Sequence, residues 1–144
     1  MGVKATRYHD FCAGHRVVGH ENKCKHLHGH NYRVFFTVES NDELDQIGRV
    51  LDFSVIKSLL CEWLEINWDH KMILFKEDPL IKELKKIIPN DIVEVPFNPT
   101  AENMAKFLVE KIGPKSLDGL GVRLVECIVE ETRKCSASYG ITSK

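Results

Sequence analysis

Several broad classes are closed to this chain of 144 residues by what it lacks. Its longest uninterrupted apolar run is Met72–Phe75, whereas a membrane-spanning helix needs roughly 20 such residues. The opening stretch, MGVKATRYHD, has no apolar signal core. A cytoplasmic protein with no membrane partner is expected. Neither sign of charge dominates: Lys plus Arg number 20, Asp plus Glu 21, and the net charge is −1. Such a balance offers no general attraction to nucleic acid, so an anionic substrate must be met by a local cluster. The five cysteines, Cys12, Cys24, Cys61, Cys127 and Cys135, are odd in number and contain no CxxC pair. That argues against a disulfide framework and against a ribbon-type zinc site. No repeat, low-complexity tract or Pro/Gly-rich linker divides the sequence, so residues 1–144 read as one domain. Hydrophobic residues at 43% and charged residues at 28% suit a globular core of that size.

What is present is patterned. Residues 3–11 alternate, with Val3, Ala5, His9 and Phe11 on one parity, and predict a strand. Residues 31–39 predict a second, with Tyr32, Val34, Phe36 and Val38 on one face. The segment between them is too long for a tight hairpin turn. Asp52 reads as the cap of a first helix carrying Phe53, Ile56, Leu59, Leu60, Trp63 and Leu64 at helical spacing. Asp78-Pro79 reads as the start of a second, with Pro at the first helical position and Leu80, Leu84, Ile87 and Ile88 as its buried side. A short strand over Asp91–Val95 follows. Thr100 is the expected cap of a third helix, lined by Met104, Phe107, Leu108 and Ile112 and ended by Gly113-Pro114. The last strand spans Val122–Glu131, with Val125, Cys127, Val129 and Glu131 of one parity. The expected fold class is α+β, with helices on one face of an antiparallel sheet.

Four of the seven histidines fall between His20 and His30. In His28-Gly29-His30, a separation of two puts both imidazoles on one face of an extended chain. His15 has the parity of Phe11 and Ala13, so if the first two strands pair, a third imidazole meets the other two. Three histidines with a fourth position open to water or substrate are the signature of a catalytic zinc site. Isolated HxH pairs are also common as plain surface or core histidines. Cys24, between Lys23 and Lys25, has its thiolate favoured by positive charge. It can serve as base, nucleophile or metal ligand, or be an ordinary loop cysteine. Asp69-His70 matches the device of a carboxylate orienting a proton-shuttling imidazole, although Asp-His is a common dipeptide and taken alone reads as merely structural. Glu131 ends an apolar strand face, where a carboxylate needs a partner: a salt bridge, a helix cap, or the paired N–H donors of an amino-pyrimidinone ring.

Taken in order, these segments resemble the 6-pyruvoyl-tetrahydropterin synthase / 6-carboxy-tetrahydropterin synthase family. The resemblance rests on Phe11-Cys12-Ala13-Gly14-His15-Arg16, Cys24 through Tyr32, Val50-Leu51-Asp52-Phe53, Trp68-Asp69-His70-Lys71, Asn98-Pro99-Thr100-Ala101-Glu102, and Glu130-Glu131-Thr132 with Ala137 and Tyr139. It implies zinc on His15, His28 and His30. It implies proton transfer by Cys24, Asp69 and His70, a pterin ring anchored on Glu131, and Thr100 at the pocket edge. The implied fold is the tunnelling fold (T-fold), its barrel closed by oligomerisation, commonly as a homohexamer with active sites between subunits. The implied substrate is a reduced pterin triphosphate, 7,8-dihydroneopterin triphosphate. Lys23, Lys25, Arg16 and His26 are candidates to meet its phosphates. The short Cys24–His28 spacing resembles the queuosine-pathway branch, a lyase forming 6-carboxy-5,6,7,8-tetrahydropterin with release of acetaldehyde and triphosphate. The pyruvoyl-forming reaction is the alternative within enzymes. A structural zinc module closed by Cys24 as fourth ligand is the alternative outside them.

Overall fold

A computed structural model describes residues 2–19 and 25–141. Strand β1 (Lys4–His15) and strand β2 (His28–Ser40) pair antiparallel along their length, from Lys4 opposite Glu39 to His15 opposite His28. Both run several residues beyond the expected bounds, and the histidines are their paired ends. Helix α1 (Phe53–Ile56), a π-helical stretch (Lys57–Cys61) and helix α2 (Glu62–Asn67) follow as one rod. Strand β3 (Met72–Phe75), helix α3 (Ile81–Ile87) and strand β4 (Ile92–Val95) come next. Helix α4 (Ala101–Phe107), a second π-helical stretch (Leu108–Ile112) and helix α5 (Gly113–Ser116) form the other rod, before strands β5 (Val122–Glu130) and β6 (Ser136–Gly140).

The six strands lie in the order β4-β3-β1-β2-β5-β6. The sheet is mixed, where an antiparallel one was expected. The ladders among β1, β2, β5 and β6 are antiparallel, whereas β3 pairs parallel to both β1 and β4. A helix between β3 and β4 is the crossover that brings the chain back in the same direction. Strand β3 has no alternation to betray it, because Ile73 and Leu74 on its opposite faces are both buried.

One face of the sheet is packed. Phe11 and Ala13 of β1, Tyr32, Val34, Phe36 and Val38 of β2, and Cys127 and Val129 of β5 share a core with Ile56, Leu60, Leu64, Trp68, Met104 and Leu108 of the helical side. On the other face Thr6, Tyr8, Asp10 and Cys12 are exposed. There Arg33 lies 4.2 Å over the Tyr8 ring and bonds both carboxylate oxygens of Asp10. Asp52 and Thr100 cap their helices as expected, accepting from the amides of Ser54 and Asn103. No helix among the described residues is long and apolar enough to cross a membrane.

Four local expectations need correction. The second helix begins at Ile81, not at Pro79, because the Asp78 carboxylate takes the Leu80 amide and closes a turn first. Its buried residue is Ile81, while Ile87 is 77% exposed. Phe53, placed on the buried stripe of the first helix, is exposed. In β5 the register passes from Glu126 opposite Thr37 to Leu124 opposite Val38. This β-bulge removes Val125 from the alternation and gives its core position to Leu124.

Gly113 does not end its helix; the rod continues through Ser116. A Cβ there meets Leu124 Cβ at 2.8 Å and Cδ2 at 2.9 Å. Alanine ordinarily favours a helix over glycine by up to ~1 kcal/mol. Here the partner atom is a Cβ fixed to the backbone of an interior strand, so overpacking decides the sign. Gly113→Ala is expected to destabilise by about 1–3 kcal/mol, read from the midpoint of urea unfolding.

Candidate metal centre and the adjoining cleft

The antiparallel register builds the centre. His15 and His28 face each other directly, and His30 faces Ala13 one step along the same side of the ladder. The imidazole centroids lie 4.6 Å (His15–His28), 5.0 Å (His15–His30) and 4.8 Å (His28–His30) apart. One ring nitrogen or carboxylate oxygen from each of His15, His28, His30 and Glu131 falls in a cluster no more than 4.8 Å across.

The outer ring nitrogens fix the tautomers. His15 Nδ1 lies 2.7 Å from the Pro99 carbonyl oxygen and His28 Nδ1 lies 2.7 Å from that of His26. A carbonyl only accepts, so each Nδ1 carries a hydrogen, and the tautomer this selects for the neutral ring has its lone pair on Nε2. Those two Nε2 atoms stand 3.0 Å apart. His30 Nε2 is buried without an aligned hydrogen bond, and Glu131 Oε1 lies 2.9 Å from it and 3.6 Å from His15 Nε2. Lone pairs and a carboxylate turned on one point repel unless a cation stands among them. Nitrogens about 3.3 Å apart are what a tetrahedral ion with bonds of about 2.0–2.1 Å requires. The donor set therefore fits zinc, held by the three Nε2 atoms with Glu131 beside them.

Electrostatics point the same way. His15 is 1% exposed, and burial drives its pKa down to about 4 despite the opposing Pro99 carbonyl. Burial lowers His30 too, against the pull of Glu131. Metal ligation needs neutral imidazole, so these shifts keep His15 and His30 available as ligands.

A cleft of about 930 Å³ adjoins the cluster, with His30, Glu131, Asp69, His70, Glu65 and Cys12 in its walls. Asp69 and His70 reach it from the turn after α2, which runs along the edge of β1. The Cys12 amide donates to Asp69 Oδ1 at 3.0 Å, and the His70 amide donates to the Cys12 carbonyl at 2.6 Å. His70 has a φ of +59°, which turns its ring back so that Nδ1 lies 2.8 Å from Asp69 Oδ2. Its side chain is 78% exposed. Burial pushes the Asp69 carboxyl up, but the Cys12 amide and His70 hold it below the usual carboxylate range. The structure thus brings Glu131, Asp69 and His70 to one cleft beside the three histidines. Thr100 is one residue from the carbonyl that holds His15, and its hydroxyl oxygen is taken by the Asn103 amide. Cys24 and Lys23 lie outside the described residues.

Arg16 departs from expectation. Its guanidinium makes a bidentate pair with the buried Asp78, at 2.6 and 2.8 Å, so it is committed within the fold. Sequence reasoning also missed three contacts: the Pro99 carbonyl on His15, the Asn98 side chain on the Val18 backbone, and the Glu65 carboxylate 2.5 Å from His9 Nε2. The Asn98-Pro99-Thr100 segment was legible as a helix start and as part of the family resemblance, but nothing in the sequence joins residue 98 to residue 18.

The family model for 6-pyruvoyl tetrahydropterin synthase matches residues 4–141. The chain belongs to this family. A 6-carboxy-5,6,7,8-tetrahydropterin synthase of Rickettsia typhi is 40% identical over 134 residues, 92% of this chain and 96% of that one. An Aquifex aeolicus protein of the same name is 36% identical over 126 residues, 82% of this chain and 76% of that one. Among solved structures, an uncharacterized protein from Wolinella succinogenes matches with a TM-score of 0.81 at 26% identity, over 96% and 97% of the two chains. The Caenorhabditis elegans 6-pyruvoyl tetrahydropterin synthase shares the fold, with a TM-score of 0.68 at 23% identity over 97% and 96%.

Within this family fold, the centre yields a direct test. Purified protein is expected to bind about one zinc per chain. His28→Ala removes one of three imidazoles and should lower zinc occupancy to a small fraction, measured by metal analysis after dialysis. Full occupancy in the variant would remove His28 from the centre.

Proposed function

We propose that the protein is a zinc-dependent lyase. It converts 7,8-dihydroneopterin triphosphate and one water into 6-carboxy-5,6,7,8-tetrahydropterin, acetaldehyde and triphosphate, as in the queuosine pathway. The observation that carries the reading is the convergence of three imidazole nitrogens and a carboxylate at a cleft that also holds an Asp–His pair. The names of the relatives at 36–40% identity favour the carboxy product over the pyruvoyl one. So does the separation of Cys24 from His28 by only Lys25, His26 and Leu27.

Zinc, when bound, supplies Lewis acidity toward the side-chain oxygens of the pterin and eases enolisation. The chain's own residues do the rest. Swung out from His30 Nε2, which it touches at 2.9 Å, Glu131 accepts two parallel hydrogen bonds from the 2-amino group and ring N–H of the pterin, which orients the ring. Asp69 accepts from His70 Nδ1, so His70 Nε2 is left at the exposed end of the ring to give or take a proton. Cys24 as thiolate takes the carbon-bound proton, its charge favoured by Lys23 and Lys25. Thr100 stands behind the histidines, next to the Pro99 carbonyl and capping α4, and does not line the cleft. Lys25, His26 and Lys23 remain the candidates for the triphosphate. Among the described residues β4 and β6 each have a strand on one side only, and most of the outer edge of β1 has none; a homohexamer would cover such edges. A cytoplasmic setting belongs to the same proposal.

The reaction is tested by identifying products from 7,8-dihydroneopterin triphosphate. Acetaldehyde in equal amount to 6-carboxy-tetrahydropterin is expected. Accumulation of a 6-pyruvoyl product without acetaldehyde would move the protein to the other branch, and no turnover with zinc bound would favour a structural module. Glu131→Gln sets one donor against another and is expected to weaken binding of a stable pterin such as sepiapterin roughly ten- to a hundredfold. Calorimetric titration reads the affinity, and equal values would take Glu131 out of the pterin site.

A further inference from the structure

The residues around His15 form a second layer that no sequence pattern announced. Val18, three residues past His15, is stitched to Asn98 by two hydrogen bonds. The Val18 amide donates to Asn98 Oδ1 at 2.9 Å, and Asn98 Nδ2 donates to the Val18 carbonyl at 2.8 Å. The side-chain amide thus imitates one rung of a β-ladder. Next in sequence is Pro99, whose carbonyl receives His15 Nδ1 at 2.7 Å. Two adjacent residues of one segment therefore hold two nearby points of another, 84 and 80 positions away in the chain. Asn98 is itself immobilised. Its carbonyl accepts from Asn103 Nδ2 at 2.9 Å and from the Thr100 amide at 2.7 Å, so it is anchored to the first turn of α4.

A third tie meets the same segment. Arg16, next to His15, holds buried Asp78 with two bonds and donates from Nη1 to the Lys25 carbonyl at 3.2 Å. Asp78 is pinned in turn by the Leu80 amide at 2.9 Å. The stretch after His15 is consequently fixed to the α4 start through Asn98 and to the α3 start through Asp78.

We propose that Asn98 is a positioning residue for the metal centre. By clamping Val18 it holds the Pro99 carbonyl in line with His15 Nδ1, and so selects the tautomer that directs the Nε2 lone pair at His28 and His30. The inference rests on the reading of His15 as a metal ligand. Helix capping alone does not account for the side chain. The α4 cap is the Thr100 hydroxyl, and the bonds Asn98 contributes to that turn come from its backbone carbonyl. Partners of this kind, which orient a ligating imidazole through its other nitrogen, typically govern metal affinity by about 10–100-fold.

The test uses the full chain and two readouts. In metal-free protein at pH 8, ¹⁵N NMR distinguishes a protonated from a bare ring nitrogen. Wild type is expected to show His15 protonated at Nδ1, and Asn98→Ala a mixture of tautomers. Competition titration with zinc is expected to show affinity about 10–100-fold weaker in Asn98→Ala. Asn98→Asp keeps the acceptor for the Val18 amide, loses the donor, and should fall between; it also serves if the alanine variant does not fold. Asp52→Ala, which removes the remote α1 cap, is the control for general loss of stability and should leave zinc affinity within twofold. Unchanged His15 tautomer and unchanged zinc affinity in the Asn98 variants would overturn the inference, as would an equal loss in Asp52→Ala. Zinc binding that is as tight in His28→Ala as in wild type would instead overturn the metal reading on which it rests.

Discussion

The register of β1 against β2 is the constraint on which the rest depends. Side chains alternate with a period of two, so a slip of one residue would turn the imidazoles to the opposite face of the sheet and bury the exposed set in their place. The register is held by the same alternation that forms the core: Phe11 against Tyr32 and His9 against Val34 on the packed face, with Cys12 against Asn31 on the open one. Folding the apolar face therefore also assembles the candidate centre. The ring stack of Phe11 on Tyr32, with centroids 5.1 Å apart, lies one step below it.

Placing three imidazoles at the end of an apolar face carries an electrostatic cost. Burial disfavours the charged form of His15 and His30, and the Nδ1 bonds of His15 and His28 turn their Nε2 atoms toward each other. This is the arrangement a cation relieves. The surrounding contacts keep the rings from escaping it: Pro99 and His26 hold the outer nitrogens of His15 and His28, and Arg16 with Asp78 secures the exit from β1. In the same cleft, the positive φ of His70 and the Asp69 bond to the β1 edge set an imidazole facing solvent.

Much of this was legible in the sequence, for a physical reason. Period-two patterning reveals a strand when one face is buried and the other is not, as in β1 and β2, and it put His15, His28 and His30 on one side. Caps such as Asp52 and Thr100 are read from local chemistry and were found where expected. The misses have other causes. Strand β3 is buried on both faces and does not alternate; β6, Ser136–Gly140, is short, polar and at the sheet edge. The bulge at Val125 depends on a partner strand distant in the chain, whereas the turn at Asp78 is local, its carboxylate taking the Leu80 amide before the helix can start. Arg16 looked like a free cation because its partner lies 62 residues away.

The central claim is a three-histidine centre with a position left for substrate, and zinc K-edge X-ray absorption on the purified protein tests it most directly. The account predicts three nitrogen scatterers at about 2.0–2.1 Å with the remaining ligand oxygen. A sulfur scatterer at about 2.3 Å would show Cys24 closing the site, and would contradict the catalytic reading.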